Sequence, residues 1–171
     1  GPWSVQLSID GASATQDLAE GADLGMGLGL EAMVAYGIVP HLEAYASWDW
    51  HHFPAERAFD FDDVSVEETG YAAGFRFRFP MGSSGISYLF RAGGTFNHIE
   101  VESDEGDIIG DTDHGLGWEL GAGLIVPFGD HWRLTPGARY RALSRGIDFE
   151  DESIDAELTY VVLEVGFTYV F

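Results

Sequence analysis

Residues 158–171 read LTYVVLEVGFTYVF, from Leu158 to Phe171. The odd positions Val161, Leu163, Val165, Phe167, Tyr169 and Phe171 are all apolar, while the even ones include Glu164, Gly166 and Thr168. A period of two with one apolar face is the pattern of a β-strand. The pattern recurs upstream. Trp3, Val5, Leu7 and Ile9 alternate with Ser4, Gln6, Ser8 and Asp10; Leu42, Ala44, Ala46, Trp48 and Trp50 alternate with Glu43, Tyr45, Ser47 and Asp49. Leu24 to Tyr36 sets Leu24, Met26, Leu28, Leu30, Ala32, Val34 and Tyr36 against Gly25, Gly27, Gly29 and Glu31. These glycines share one strand face and no helix follows, which excludes a phosphate-binding loop.

Four further stretches behave alike: Tyr71 to Phe79 against Arg76 and Arg78, Ile86 to Phe96 against Arg91, Leu116 to Val126 against Glu119, and Trp132 to Tyr140 against Arg133, Arg139 and Arg141. Eight strands result, joined by tight turns at residues 37–41, 80–85 and 127–131 and otherwise by long polar segments. A chain of 171 residues is read as one domain spanning 1–171, in which Gly1-Pro2 resembles a cleavage scar on the mature chain. Its 23 glycines and two-residue alternation exclude long helices, and the absence of cysteine excludes disulfides and thiolate metal sites. A formal charge of -21, with all eight cations arginine, excludes a nucleic-acid partner.

The faces decide the class. A soluble eight-stranded barrel turns its apolar side inward around a ligand. Here arginines lie opposite the aromatic faces, so the apolar side points outward and the polar side inward, as in a transmembrane barrel. Outward aromatics form two belts: Trp3, Tyr36, Phe79, Tyr88, Phe128, Trp132, Tyr169 and Phe171 near the tight turns, and Trp48, Trp50, Tyr71, Phe96, Trp118 and Tyr140 near the long segments. Such belts mark membrane interfaces.

The spacing Glu164-x-Gly166-x-x-Tyr169-x-Phe171 resembles the C-terminal insertion signal of bacterial outer-membrane β-barrels. The whole chain is similar to the small outer-membrane proteins of the OmpA and OmpX type. The resemblance implies an all-β, eight-stranded antiparallel up-and-down transmembrane β-barrel with short periplasmic turns and long acidic extracellular loops. It also implies a bacterial outer-membrane location, contact with the lipid bilayer and lipopolysaccharide, insertion by the barrel-assembly machinery, and a monomer.

Inside, the expected ion network comprises Glu31, Glu43, Arg76, Arg78, Arg91, Glu119, Arg133, Arg139, Arg141 and Glu164, with Asp10 and Asp49. Counting from the turn at 127–131 places Glu119, Arg139 and Glu164 at one height, and Glu43 with Arg76 and Arg78 lower. The arginine fork holds two carboxylates at once. Such pairs fill the narrow lumen of an eight-stranded barrel; the alternative is a gated ion path.

Beyond the upper belt the polarity inverts. Val64, Val66, Ile99, Val101, Ile147, Phe149, Ile154 and Leu158 take the inner parity, and acidic residues the outer one. This predicts an extracellular apolar cap where the barrel rises into water, either packed or holding a small hydrophobic ligand. The acidic segments read as a solvated surface; Ca²⁺ or Mg²⁺ binding is the alternative, since hard oxygen ligands suit both ions. His51, His52, His98 and His114 lack convincing ligand spacing, so no transition metal and no cofactor beyond that Ca²⁺ is expected. Asp111-x-Asp113 and Asp49-x-His51 imitate outer-membrane protease spacing, but those proteases are larger barrels, and no His-x-Ser of the lipid A deacylase kind occurs. The expected function is therefore a non-enzymatic structural or surface-interaction barrel with its lumen plugged by Arg–Glu pairs. A narrow gated channel or a hydrophobic-ligand barrel is the alternative; a divalent-cation-binding surface protein or a hydrolase is less favoured.

Overall fold

Strands whose two faces differ in polarity satisfy their backbone groups in a hydrocarbon layer only by closing on one another. The computed structural model describes residues 2–15, 24–58, 61–148 and 153–171, and the sheet in it is closed. The strands are β1 (Trp3–Ala14), β2 (Gly27–Val39), β3 (Leu42–Ala58), β4 (Phe61–Pro80), β5 (Ser87–Glu102), β6 (Ile108–Asp111), β7 (Gly115–Phe128), β8 (Trp132–Asp148) and β9 (Ser153–Val170). All pairings are antiparallel, and β1 closes the cylinder on β9 from Ser4↔Val170 to Ala14↔Tyr160. Eight long strands make the wall. The short β6 extends it above β7, pairing with β5 at Glu100↔Asp111 and with β8 at Asp111↔Asp148.

Exposure identifies the faces. Leu116 and Leu163 are 79% and 68% exposed on the outside, whereas Arg139 and Arg141 are 2% and 0% exposed within. Near the tight turns Trp3 packs on Tyr36 with ring centroids 4.8 Å apart, and Trp132 on Tyr169 at 5.1 Å. At the far belt Trp118 meets Tyr140 at 5.5 Å. The tight turns use left-handed backbone, with φ of 72° at Gly129 and 76° at His41, a conformation glycine adopts freely and histidine does not.

Two sequence expectations change here. The stretch from His51 to Gly70 is not a loop: β3 and β4 stay paired from Leu42↔Phe77 up to Ala58↔Phe61. Likewise β8 and β9 pair up to Asp148↔Ser153. Alternation persists in these hairpins with its polarity reversed, which is why a search for outward apolar residues ends too early. Leu24 precedes β2 and packs half-buried against the interior rather than facing out, beside Gly25, which donates its N–H to the Pro54 carbonyl of β3.

Candidate functional site

The inner face carries its charges at three heights. Nearest the tight turns, Glu43 and Arg76 are direct cross-strand partners on β3 and β4. Arg76 donates through Nε (3.0 Å) and Nη2 (2.7 Å) to Glu43 Oε2, and Arg78 Nε lies 3.4 Å from Glu43 Oε1. Arg76 Nη1 also donates to Gln6 Oε1, which accepts from Thr168 as well.

At mid-height Arg91 holds Glu31 with two bonds of 3.0 and 2.8 Å and also reaches Glu119. Arg139 lies 3.1 Å from Glu31, 3.3 Å from Glu119, 3.0 Å from Glu164 and 3.7 Å from Asp10. Tyr45 donates its hydroxyl to Glu119 at 2.6 Å, and the Arg91 guanidinium carbon stands 4.5 Å from the Tyr45 ring centre. Gly93 makes room for that phenol: a Cβ there would strike the Tyr45 hydroxyl and lie 2.7 Å from the Ala73 carbonyl oxygen.

Above this, Arg141 grips Asp49 with a fork of 2.7 and 2.8 Å, donates through Nε to Glu119 at 2.8 Å, and lies 3.5 Å from Glu68. His51 sits between Glu68 (3.0 Å) and Asp10 (3.1 Å), and Tyr160 donates to Glu68 at 2.9 Å. Asn97 donates to Asp49 at 3.2 Å and also to Glu68.

The wall itself places like charges side by side: Asp10↔Glu164, Glu31↔Asp49 and Arg76↔Arg91 are cross-strand partners. Such neighbours repel. Their compensation comes from across the barrel, since Arg91 of β5 and Arg139 of β8 meet Glu31 of β2, and Arg141 of β8 meets Asp49 of β3. The arginines are transverse struts, possible because eight strands enclose only a side-chain-wide interior.

Over the struts lies an apolar core. Val64, Val66, Ile99, Val101 and Leu158 are buried there, Ile154 is half-buried, and Phe149 and the Ile147 side chain lie outside the described residues. Phe53, Leu143, Val162 and Tyr160 belong to the same cluster although the sequence reading did not name them. The structure brings Glu31, Arg91, Glu119, Arg139, Arg141 and Glu164 into one network and Glu43, Arg76 and Arg78 into another. Arg133, half-buried near the tight turns, makes no ion pair among the described residues. In the C-terminal motif, Glu164 faces Arg139, Gly166 leaves room for the Gln6 amide, and Tyr169 and Phe171 pack outside with ring centroids 5.1 Å apart.

Two buried members were missed. His51 and Glu68 lie between the apolar faces that end at Trp50 and resume at Tyr71, outside the expected ion network, yet both are 0% exposed. Strand parity locates them: Glu68 shares the even, inward positions of Arg76 on β4, and His51 the odd positions of Glu43 on β3. Asp49, His51 and Glu68 lie close enough to share an ion, but Arg141 and Tyr160 already occupy their oxygens. Two groups on the outer face, half-buried apart from the exposed Asp111, have comparable spacing: His98–Glu100–Asp111 and Glu67–Glu100–Glu102.

Solved structures with the same fold include Neisserial surface protein A, with a TM-score of 0.72 at 16% identity, covering 100% of this chain and 98% of that one. The outer membrane protein OprG from Pseudomonas aeruginosa has a TM-score of 0.62 at 11% identity, covering 98% and 94%. The outer membrane protein AlkL has 0.59 at 13%, covering 100% and 90%. No curated protein matches the chain by sequence. The outer membrane protein beta-barrel domain matches throughout residues 1–171, and the chain belongs to that family of bacterial outer-membrane barrels.

Proposed function

We propose that this barrel is a non-enzymatic structural and surface-interaction protein of the outer membrane whose lumen does not conduct. The observation that carries the reading is the set of transverse struts lying beneath the apolar core. A void of about 20 Å³ lined by Gln6, Arg76, Arg91, Thr135 and Glu164 has room for one water, far less than a hydrated ion needs. The cap side chains pack on one another, which supports a packed core over a ligand pocket. Lumenal carboxylates committed to arginines favour structural work over catalysis.

In this reading the tight turns face the periplasm and the long hairpins the exterior, where their acidic faces meet lipopolysaccharide and surface partners. Insertion uses the barrel-assembly machinery, and the barrel acts as a monomer.

Planar-bilayer recording tests the proposal. Wild-type protein is expected to give no steady openings, and Glu119→Ala or Arg139→Ala only brief ones. Steady wild-type conductance, enlarged by either substitution, would establish a gated channel instead.

A further inference from the structure

Outside the barrel, just beyond the far aromatic belt, β4, β5 and β6 set three carboxylates side by side. Glu67↔Glu100 and Glu100↔Asp111 are direct cross-strand partners. With Ile99 and Val101 buried inside, Glu100 faces outward. Like charges directly opposite weaken a sheet, and no arginine or lysine pairs with these three among the described residues. Two histidines stand at the same place. His98 Nε2 lies 2.9 Å from Glu100 Oε1, and His98 Nδ1 lies 3.1 Å from His114 Nε2. One nitrogen or oxygen each from His98, Glu100 and Asp111 falls within 4.8 Å of the others.

We propose that His98, Glu100 and Asp111 form a binding site for a divalent transition-metal cation of the Zn²⁺ class, with His114 positioning His98. The geometry fits such an ion. Metal–nitrogen and metal–oxygen bonds of about 2.0–2.2 Å at the tetrahedral angle place neighbouring ligand atoms about 3.4 Å apart; His98 Nε2 and Glu100 Oε1, at 2.9 Å, need only a small side-chain rotation to open to that distance. With the metal on Nε2, Nδ1 keeps its proton and donates it to His114, the arrangement that orients a ligating imidazole. His114 is itself packed against the belt residue Phe96, with ring centroids 5.2 Å apart. Two bonds tie the segments that carry the site: Thr112 N donates to the Ile99 carbonyl, and Ile99 N to the Thr112 hydroxyl.

The imidazole selects the ion. Nitrogen ligands suit Zn²⁺, Co²⁺ or Ni²⁺, whereas Ca²⁺ seeks six to eight oxygens. Half-buried His98 and Glu100 beside exposed Asp111 leave one side of the site open to solvent or to an external ligand. The sequence hides this set because His98 and Asp111 are joined only by the β5–β6 register.

Calorimetric titration of the folded barrel in detergent with ZnCl₂, at pH 7.5 in constant high NaCl, tests the site, with CoCl₂ followed by visible absorption. One saturable Zn²⁺ event is expected, and bound Co²⁺ should develop d–d bands. His98→Ala and Asp111→Asn should each weaken binding at least tenfold, and His114→Ala about tenfold, the range typical of losing an orienting partner. At pH 5.5 the wild-type affinity should fall, because protons compete with the metal for its ligands. Heat-modifiable gel migration verifies that each variant is folded; where one is not, His98→Gln replaces it. Absence of a saturable Zn²⁺ event in wild type overturns the proposal. So does binding indifferent to both substitutions, or displacement of Co²⁺ by an equal concentration of CaCl₂.

Discussion

Replacing Arg141 by methionine removes the strut with the most hydrogen bonds to carboxylates, four in all, while keeping an unbranched side chain. The loss is unequal among those partners. Glu119 retains Arg91 and Arg139, and Glu68 retains His51 and Tyr160. Asp49 loses both bonds of its fork and, among the described residues, keeps Asn97 at 3.2 Å and His51 at 3.9 Å. Summing four charge-assisted bonds at about 1.5–3 kcal/mol each would overshoot, because solvation of the unfolded state offsets most of it. The relevant quantity is one buried carboxylate left without its cation, about 3–5 kcal/mol. Urea titration in detergent, read by tryptophan fluorescence, should report that loss as a lower midpoint with an unchanged slope. Asp49→Asn in the same chain neutralises the stranded charge, so the double variant should recover about 1.5–3 kcal/mol relative to Arg141→Met, a coupling expected of residues in contact. A double variant no more stable than Arg141→Met would refute the argument that Asp49 bears the cost.

The cap gives a second prediction: Ile99→Ala or Leu158→Ala, each removing a buried side chain, should cost about 2–4 kcal/mol, whereas Leu116→Ala on the 79% exposed outer face should change little in detergent. The same urea titration separates them. A third concerns pH. Burial, followed by Glu67 and Glu100, raises the Glu102 carboxyl above its ordinary value of 4.5, with His52 opposing. A raised carboxyl is disfavoured as an anion in the folded state, so its penalty is full above the folded value and vanishes below the unfolded one. Glu102→Gln should therefore raise the melting temperature at pH 7 with EDTA present and leave it unchanged at pH 3.5, checked by thermal scans at both.

The membrane-facing half of the barrel was legible in the sequence because its rule is simple: Leu163, Phe167 and their neighbours go out, and Glu164 and Arg139 go in. Pairing heights near the turn at 127–131 could be counted, which brought Glu119, Arg139 and Glu164 together before any coordinates. Counting from a turn does not reveal contacts across the lumen. The Arg91–Glu31 and Arg141–Asp49 struts depend on strand tilt and stagger, which a linear pattern does not encode. His51 and Glu68 escaped because the parity that continues past Trp50 and Tyr71 locates an apolar cap at Val64 and Val66, and charged side chains on that same inner parity run against its polarity. Tyr45 lies on the face the sequence predicts, but its bond to Glu119 requires the space left by Gly93, two strand positions away around the barrel.

The reversal of polarity along β5 bears on how errors in strand alignment are rejected. Below Phe96 the strand needs Arg91 inside and Phe90 outside; above it, Ile99 must be inside and Glu100 outside. A slip of one residue exchanges every pair at once. It would push a guanidinium into lipid at one end and a carboxylate into the apolar cap at the other, so neither half could compensate for the other. A slip of two residues preserves the faces yet carries the crossover about 7 Å along the wall, out of line with the matching crossovers on β3, β4 and β9. Two opposed patterns on one strand therefore act as a vernier, fixing alignment more sharply than a uniform alternation of the same length.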